Sequence, residues 1–122
     1  MRGVFIESSE FTEWIGYFLS DDSYAEIQRR LMENPDSGDV MPGCGGLRKL
    51  RTTDPKRGKG KRGGARLIYL YVPEARHFYM LDIYGKDEKD DLTSDEKKQL
   101  RMLAFELKRE AKIAADRRQK ER

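Results

Sequence analysis

Nine basic residues crowd into positions 48–66: Arg48, Lys49, Arg51, Lys56, Arg57, Lys59, Lys61, Arg62 and Arg66, against one acid, Asp54. Dense positive charge interleaved with glycine suits a phosphate backbone, because glycine permits close approach and Lys/Arg displace condensed counterions. The cluster has two parts. Lys56, Arg57, Lys59, Lys61 and Arg62 lie in TTDPKRGKGKRGG (52–64), a long glycine-rich connection that reads as an RNA-contacting or steering segment. Arg48, Lys49, Arg51 and Arg66 lie on or beside the β-prone stretches LRKLR (47–51) and ARLIYLYV (65–72). Strand alternation puts Lys49 and Arg51 on one side and Leu50 on the other. A strand-borne cation is held more accurately than a loop lysine, which is what catalysis needs. Tyr84, at the end of HFYMLDIY (77–84), is two residues from Lys86, so both side chains point to the same side.

Other chemistry finds less support. His77 reads as a surface histidine at a strand start, with no acidic partner on its strand face. Cys44, between Gly43 and Gly45, reads as a turn residue; a single cysteine forbids an internal disulfide and any cysteine metal cluster. With one histidine beside it, no zinc site is expected. Gly58-Lys59-Gly60-Lys61-Arg62-Gly63 matches GxGxxG but precedes a strand, whereas a dinucleotide fingerprint must follow a strand and open a helix. Asp87, Glu88, Asp90, Asp91, Asp95 and Glu96 lack calcium-loop spacing and read as acids favouring a helix N-terminus. No cofactor and no metal are expected.

The elements that must position these residues follow from periodicity. VFIE (4–7) reads as a first strand. Ser8 or Ser9 caps a helix with Phe11, Trp14, Ile15 and Phe18 on one face. A second helix carries Tyr24, Ile27 and Leu31, with Ser23 and Glu26 as a capping box, and Asn34-Pro35 ends it. NPDSGDVMPGCGG (34–46) reads as a turn-rich loop. Residues 65–72 and 77–84, joined by Pro73 to Arg76, form an antiparallel hairpin. A last helix starts near Thr93 with Glu96 as capping partner, and bears a narrow apolar stripe of Leu100, Leu103, Ala104, Leu107, Ala111 and Ala114. The order β-α-α-β-β-β-α predicts an α+β domain over 1–112, its mainly antiparallel sheet covered on one face by helices, with a frayed basic tail over 113–122.

The chain has 122 residues, 39% of them charged, and a net charge of only +3. That total conceals a partition. Residues 1–47 hold 3 basic and 9 acidic groups, whereas 48–66 carry a net +8. No apolar run approaches a membrane span, and MRGVFIESSE does not read as a secretory signal. A cytoplasmic protein is expected.

Three stretches, NPDSGDVMPGCGGLRKLR (34–51), GKGKRGGARLIYLY (58–71) and FYMLDIYGKDEKDDLT (78–93), resemble the RelE/HigB-type toxins of bacterial toxin–antitoxin pairs, most closely the HigB-like branch. The resemblance covers about residues 1–110. It implies a RelE/ParE-like fold, a small twisted antiparallel sheet with two N-terminal helices and one C-terminal helix. It also implies a ribosome-dependent endoribonuclease that cuts mRNA in the ribosomal A site by attack of the ribose 2′-OH on the adjacent phosphate, without a metal. Matched by position, Lys49 and Arg51 correspond to the family's K-x-R strand, Arg66 to the arginine that begins the third strand, and Lys86 to a basic residue after the fourth. On that match Arg66 and Arg51 stabilise the phosphate, Lys49 or Lys86 transfers protons, and Tyr84 stacks on or orients a base. The founding RelE protein has a lysine where this chain has Leu47 and an arginine where it has Asp87. The implied partners are the ribosome, mRNA and a cognate antitoxin, HigA-like with a helix-turn-helix part; the toxin alone is expected to be a monomer. Two alternatives are a non-catalytic RNA- or ribosome-binding module, which uses the same basic patch, and a gyrase-poisoning toxin of the ParE type, which shares the fold but against which the K-x-R strand and Arg66 argue.

Overall fold

The computed structural model describes residues 2–52, 64–85 and 91–120. Along the chain run β1 (Val4–Glu7), α1 (Ser9–Phe18), α2 (Asp21–Glu33), β2 (Asp39–Val40), β3 (Arg48–Thr52), β4 (Ala65–Val72), β5 (His77–Gly85) and α3 (Ser94–Lys120). The five strands form one sheet in the order β1-β5-β4-β3-β2. All pairings are antiparallel except β1 with β5. The expected α+β class and element order hold, with one addition. The two-residue strand β2 lies in the stretch read as a loop; two residues are too few to show a period.

The helices cover both faces of the sheet, not one as expected. On one face, Phe11 and Leu19 of the α1 segment and Leu31 of α2 pack with Leu50, Leu67, Tyr69, Phe78, Met80 and Ile83. On the other, Ala104 and Ala111 of α3 pack with Leu47, Ile68, Leu70, Val72, Leu81 and Tyr84. Helical periodicity shows which side of a helix is apolar, but not which face of a distant sheet it will meet. The β4–β5 strands are rich in β-branched and aromatic residues and are buried on both faces, so they form the centre of the sheet.

Local signals explain the helix ends. Ser8 caps α1 as expected, its Oγ accepting from the Phe11 N–H at 3.1 Å. For α2 the cap is Ser20, accepting from the Ser23 N–H at 3.1 Å, so Ser23 lies inside the first turn and does not form the expected capping box. Asp21 and Asp22 in that turn complement the helix dipole. Trp14 is 49% exposed, because it sits at the edge of the apolar arc that Phe11, Ile15 and Phe18 turn toward the sheet. The Thr93–Glu96 capping box forms in both directions, at 2.9 and 3.1 Å. α3 then runs unbroken to Lys120, where fraying from 113 was expected. Ala, Arg, Gln and Lys favour the helix, and extending a formed helix is far easier than nucleating one. α3 approaches the sheet through small residues: Gly45, at φ +70°, faces Ala104, and a Cβ there would lie 3.5 Å from the Ala104 Cβ. No described helix is both long and apolar enough to cross a membrane.

Candidate active site

Hairpin register assembles the predicted strand residues. Arg51 on β3 lies directly opposite Arg66 on β4, and Arg66 directly opposite Tyr84 on β5. Direct cross-strand partners share a face, so the three form a row across the sheet. Lys49 joins them from two residues earlier on β3, roughly 7 Å along the strand. This is the α3 face, at the end of the sheet where β3 and β4 lead into 53–63. Gly64 closes that end tightly, since a Cβ on it would collide with the Thr52 carbonyl oxygen.

The four side chains differ in environment. Arg51 is exposed, whereas Arg66 is only 6% exposed. Among the described residues, neither has a carboxylate within ion-pair distance. Like charges directly opposite in a ladder are destabilising. Two arginines directly opposite one another concentrate positive charge at this end of the sheet, although Arg51 also lines a pocket with Glu26 and Glu33 of α2. Tyr84 is 2% exposed and belongs to the core under α3. Its ring is packed within the protein, which corrects the expectation that it could stack on an RNA base. Burial, reinforced by Asp91, pushes its phenol up to about 12, with Arg66 opposing the shift and Asp82 and Glu96 adding to it. The phenol is therefore protonated at neutral pH, and its hydroxyl is buried away from solvent.

Lys49 is held by a residue that sequence reasoning did not single out as a partner. Its Nζ donates to Asp91 Oδ1 at 3.0 Å, and Lys97 Nζ donates to Asp91 Oδ2 at 2.8 Å. The Leu92 N–H adds a third bond to Oδ1 at 2.8 Å. Hydrogen bonds from Lys97 and Lys49 together hold the Asp91 carboxyl well below the usual carboxylate range, and the same bond with Asp91 raises the Lys97 ammonium. Lys49, Asp91 and Lys97 line a small cavity of about 160 Å³ with Met41, Pro42 and Cys44. Cys44 is a buried turn residue. His77 bonds only the Tyr79 hydroxyl among the described side chains, at 3.2 Å.

Arg48 does not join the row. Alternation carries it to the other face, where Nη1 donates to the Gly38 carbonyl at 2.8 Å and Nη2 pairs with Asp36 at 3.3 Å. The Tyr69 hydroxyl fixes the same loop, donating to the Pro35 carbonyl at 2.7 Å and accepting from the Gly38 N–H at 2.9 Å. Arg48, whose charge in the basic cluster also made it a candidate RNA contact, thus braces the loop between α2 and β2. Lys56, Arg57, Lys59, Lys61, Arg62 and Lys86 lie outside the described residues.

The model of the RelE toxin of the RelE/RelB toxin–antitoxin system matches residues 19–120. Among solved structures, the chain is similar to the E. coli toxin RelE, a double arginine-to-alanine mutant in the free state, at 14% identity and a TM-score of 0.50, covering 74% of this chain and 90% of that one. At that identity the likeness is one of fold.

Proposed function

The chain belongs to the RelE toxin family of toxin–antitoxin systems, and from that premise we propose that it is a ribosome-dependent endoribonuclease that cuts mRNA in the ribosomal A site. The row Arg51–Arg66–Tyr84 with Lys49 beside it carries this reading. Attack of a ribose 2′-OH on the adjacent phosphate builds negative charge on the phosphorane oxygens. Preorganised cations aimed at that charge lower the barrier, and the Arg51 and Arg66 guanidiniums supply them without requiring a metal ion. One group must take the 2′ proton and another must protonate the leaving 5′-oxygen. Lys49 and Lys86 are the proposed proton-transfer groups, and Tyr84, its hydroxyl buried, packs beside Arg66 from within the core. Lys56, Arg57, Lys59, Lys61 and Arg62 steer the toxin toward RNA. The proposed partner is a helix-turn-helix antitoxin of the HigA type, acting on a monomeric cytoplasmic toxin of the HigB-like branch.

The test is mRNA cleavage on translating ribosomes by wild type, Arg66→Ala and Lys86→Ala. Loss of one preorganised charge-stabilising donor costs roughly a hundredfold or more, so Arg66→Ala should cut at least about a hundredfold more slowly. Equal cleavage by all three removes these residues from the mechanism. Equal cleavage of naked RNA refutes the dependence on the ribosome. Tight binding without a cut product makes the protein a binding module.

A further inference from the structure

We infer that Asp91 is a positioning residue of the cleavage site: held by Lys97 and the Leu92 amide, its carboxylate fixes the Lys49 ammonium beside the arginine row. This rests on the reading of Lys49 as part of the cleavage machinery. A lysine is a charge on a flexible four-carbon stem, so its position is set by what its ammonium binds. Asp39, directly across the β2–β3 ladder, is the local carboxylate that Lys49 could choose. The ion pair forms instead with Asp91, 42 residues away.

Asp91 is itself anchored from both sides. The next residue, Leu92, is buried in the core beneath α3, and the Thr93–Glu96 box follows at once. Lys97, from the first turns of α3, occupies the second carboxylate oxygen. With both oxygens engaged, the carboxylate has a fixed orientation. The cavity's two ammoniums, Lys49 and Lys97, and its two carboxylates, Asp91 and Asp39, balance in charge. Asp91 can therefore fix Lys49 without turning the site anionic. Misplacing a reacting group by about 1 Å can cost on the order of a hundredfold in rate.

The experiment measures single-turnover mRNA cleavage on programmed ribosomes across toxin concentrations. Asp91→Ala should slow cleavage at saturation by about tenfold to a hundredfold, leaving the half-saturating concentration unchanged. Asp91→Glu should recover much of the rate, and Lys97→Met should lose less than Asp91→Ala. In a Lys49→Ala background, Asp91→Ala should cause no further loss. Wild-type or faster cleavage by Asp91→Ala overturns the inference, as does a loss that adds fully to that of Lys49→Ala. Carboxyl-carbon NMR of the full chain gives a readout without ribosomes: Lys49→Met should raise the titration midpoint of Asp91, and an unchanged midpoint overturns the clamp. A wild type that leaves mRNA intact overturns the cleavage reading and this inference with it. A wild type that cuts, with Arg66→Ala inactive and Asp91→Ala unaffected, overturns only the role of Asp91.

Discussion

Arg66 sets its burial against its charge. Its guanidinium belongs to a residue only 6% exposed, faces Arg51 across the ladder, and has no carboxylate within ion-pair distance among the described residues. Taking a cation out of water is unfavourable, and a like charge directly opposite adds to the cost. A chain selected only for stability would place an apolar residue here. Sites that break local rules in this way are commonly functional. Arg66→Met keeps the length of the side chain and removes the charge. It is expected to stabilise the fold by about 1 kcal/mol while lowering ribosomal mRNA cleavage by about a hundredfold. Thermal unfolding of the two proteins, run beside the cleavage assay, checks both halves. A large fall in Tm would mean that the guanidinium is a structural group, and the case for its catalytic placement would fail.

The elements explain why some of this could be read in advance. Lys49, Arg51, Arg66 and Tyr84 share a face because strands alternate and the β4–β5 hairpin has a short turn, both visible in ARLIYLYV and HFYMLDIY. Even here the register slips once: Ile68 pairs with Asp82 and Tyr69 with Met80, so Leu81 is an extra, bulged residue. That slip keeps Tyr84 in line with Arg66. The Lys49–Asp91 pair was not legible. Its partners are 42 residues apart, and Asp91 sits in a run of acids that helix-start electrostatics already explained. The parallel β1–β5 pairing and the split of the helices between two faces are long-range choices with no local period. The Thr93–Glu96 box was legible, and it now has a second task, because it starts α3 two residues after Asp91. Thr93→Ala should cost about 1 kcal/mol, seen as a lower urea midpoint at unchanged slope. Faster amide exchange at Glu96 and Lys97 should accompany it. Exchange faster only near Lys120 would place the fraying at the wrong end.

At the scale of the whole molecule, the net charge of +3 hides an acidic N-terminal third and a +8 segment at 48–66. The strand-borne cations of that segment sit in the row or, for Arg48, against the loop between α2 and β2, whereas Lys56, Arg57, Lys59, Lys61 and Arg62 precede β4 in sequence. The two sets should therefore fail differently. Cations that track a phosphate backbone release counterions, and each one removed flattens the slope of log affinity against log salt by roughly 0.7–0.9. Neutralising Lys56, Lys59 and Lys61 to Gln should flatten the salt dependence of ribosome binding by about two to three units, measured by co-sedimentation between about 50 and 200 mM salt. Cleavage at saturating toxin should stay near the wild-type rate. Arg66→Ala should do the reverse, lowering the saturated rate while changing the slope by no more than about one unit. If the triple Gln variant instead loses its rate at saturation with an unchanged slope, these lysines act in the chemistry, and the division of the basic segment into steering and reacting parts falls.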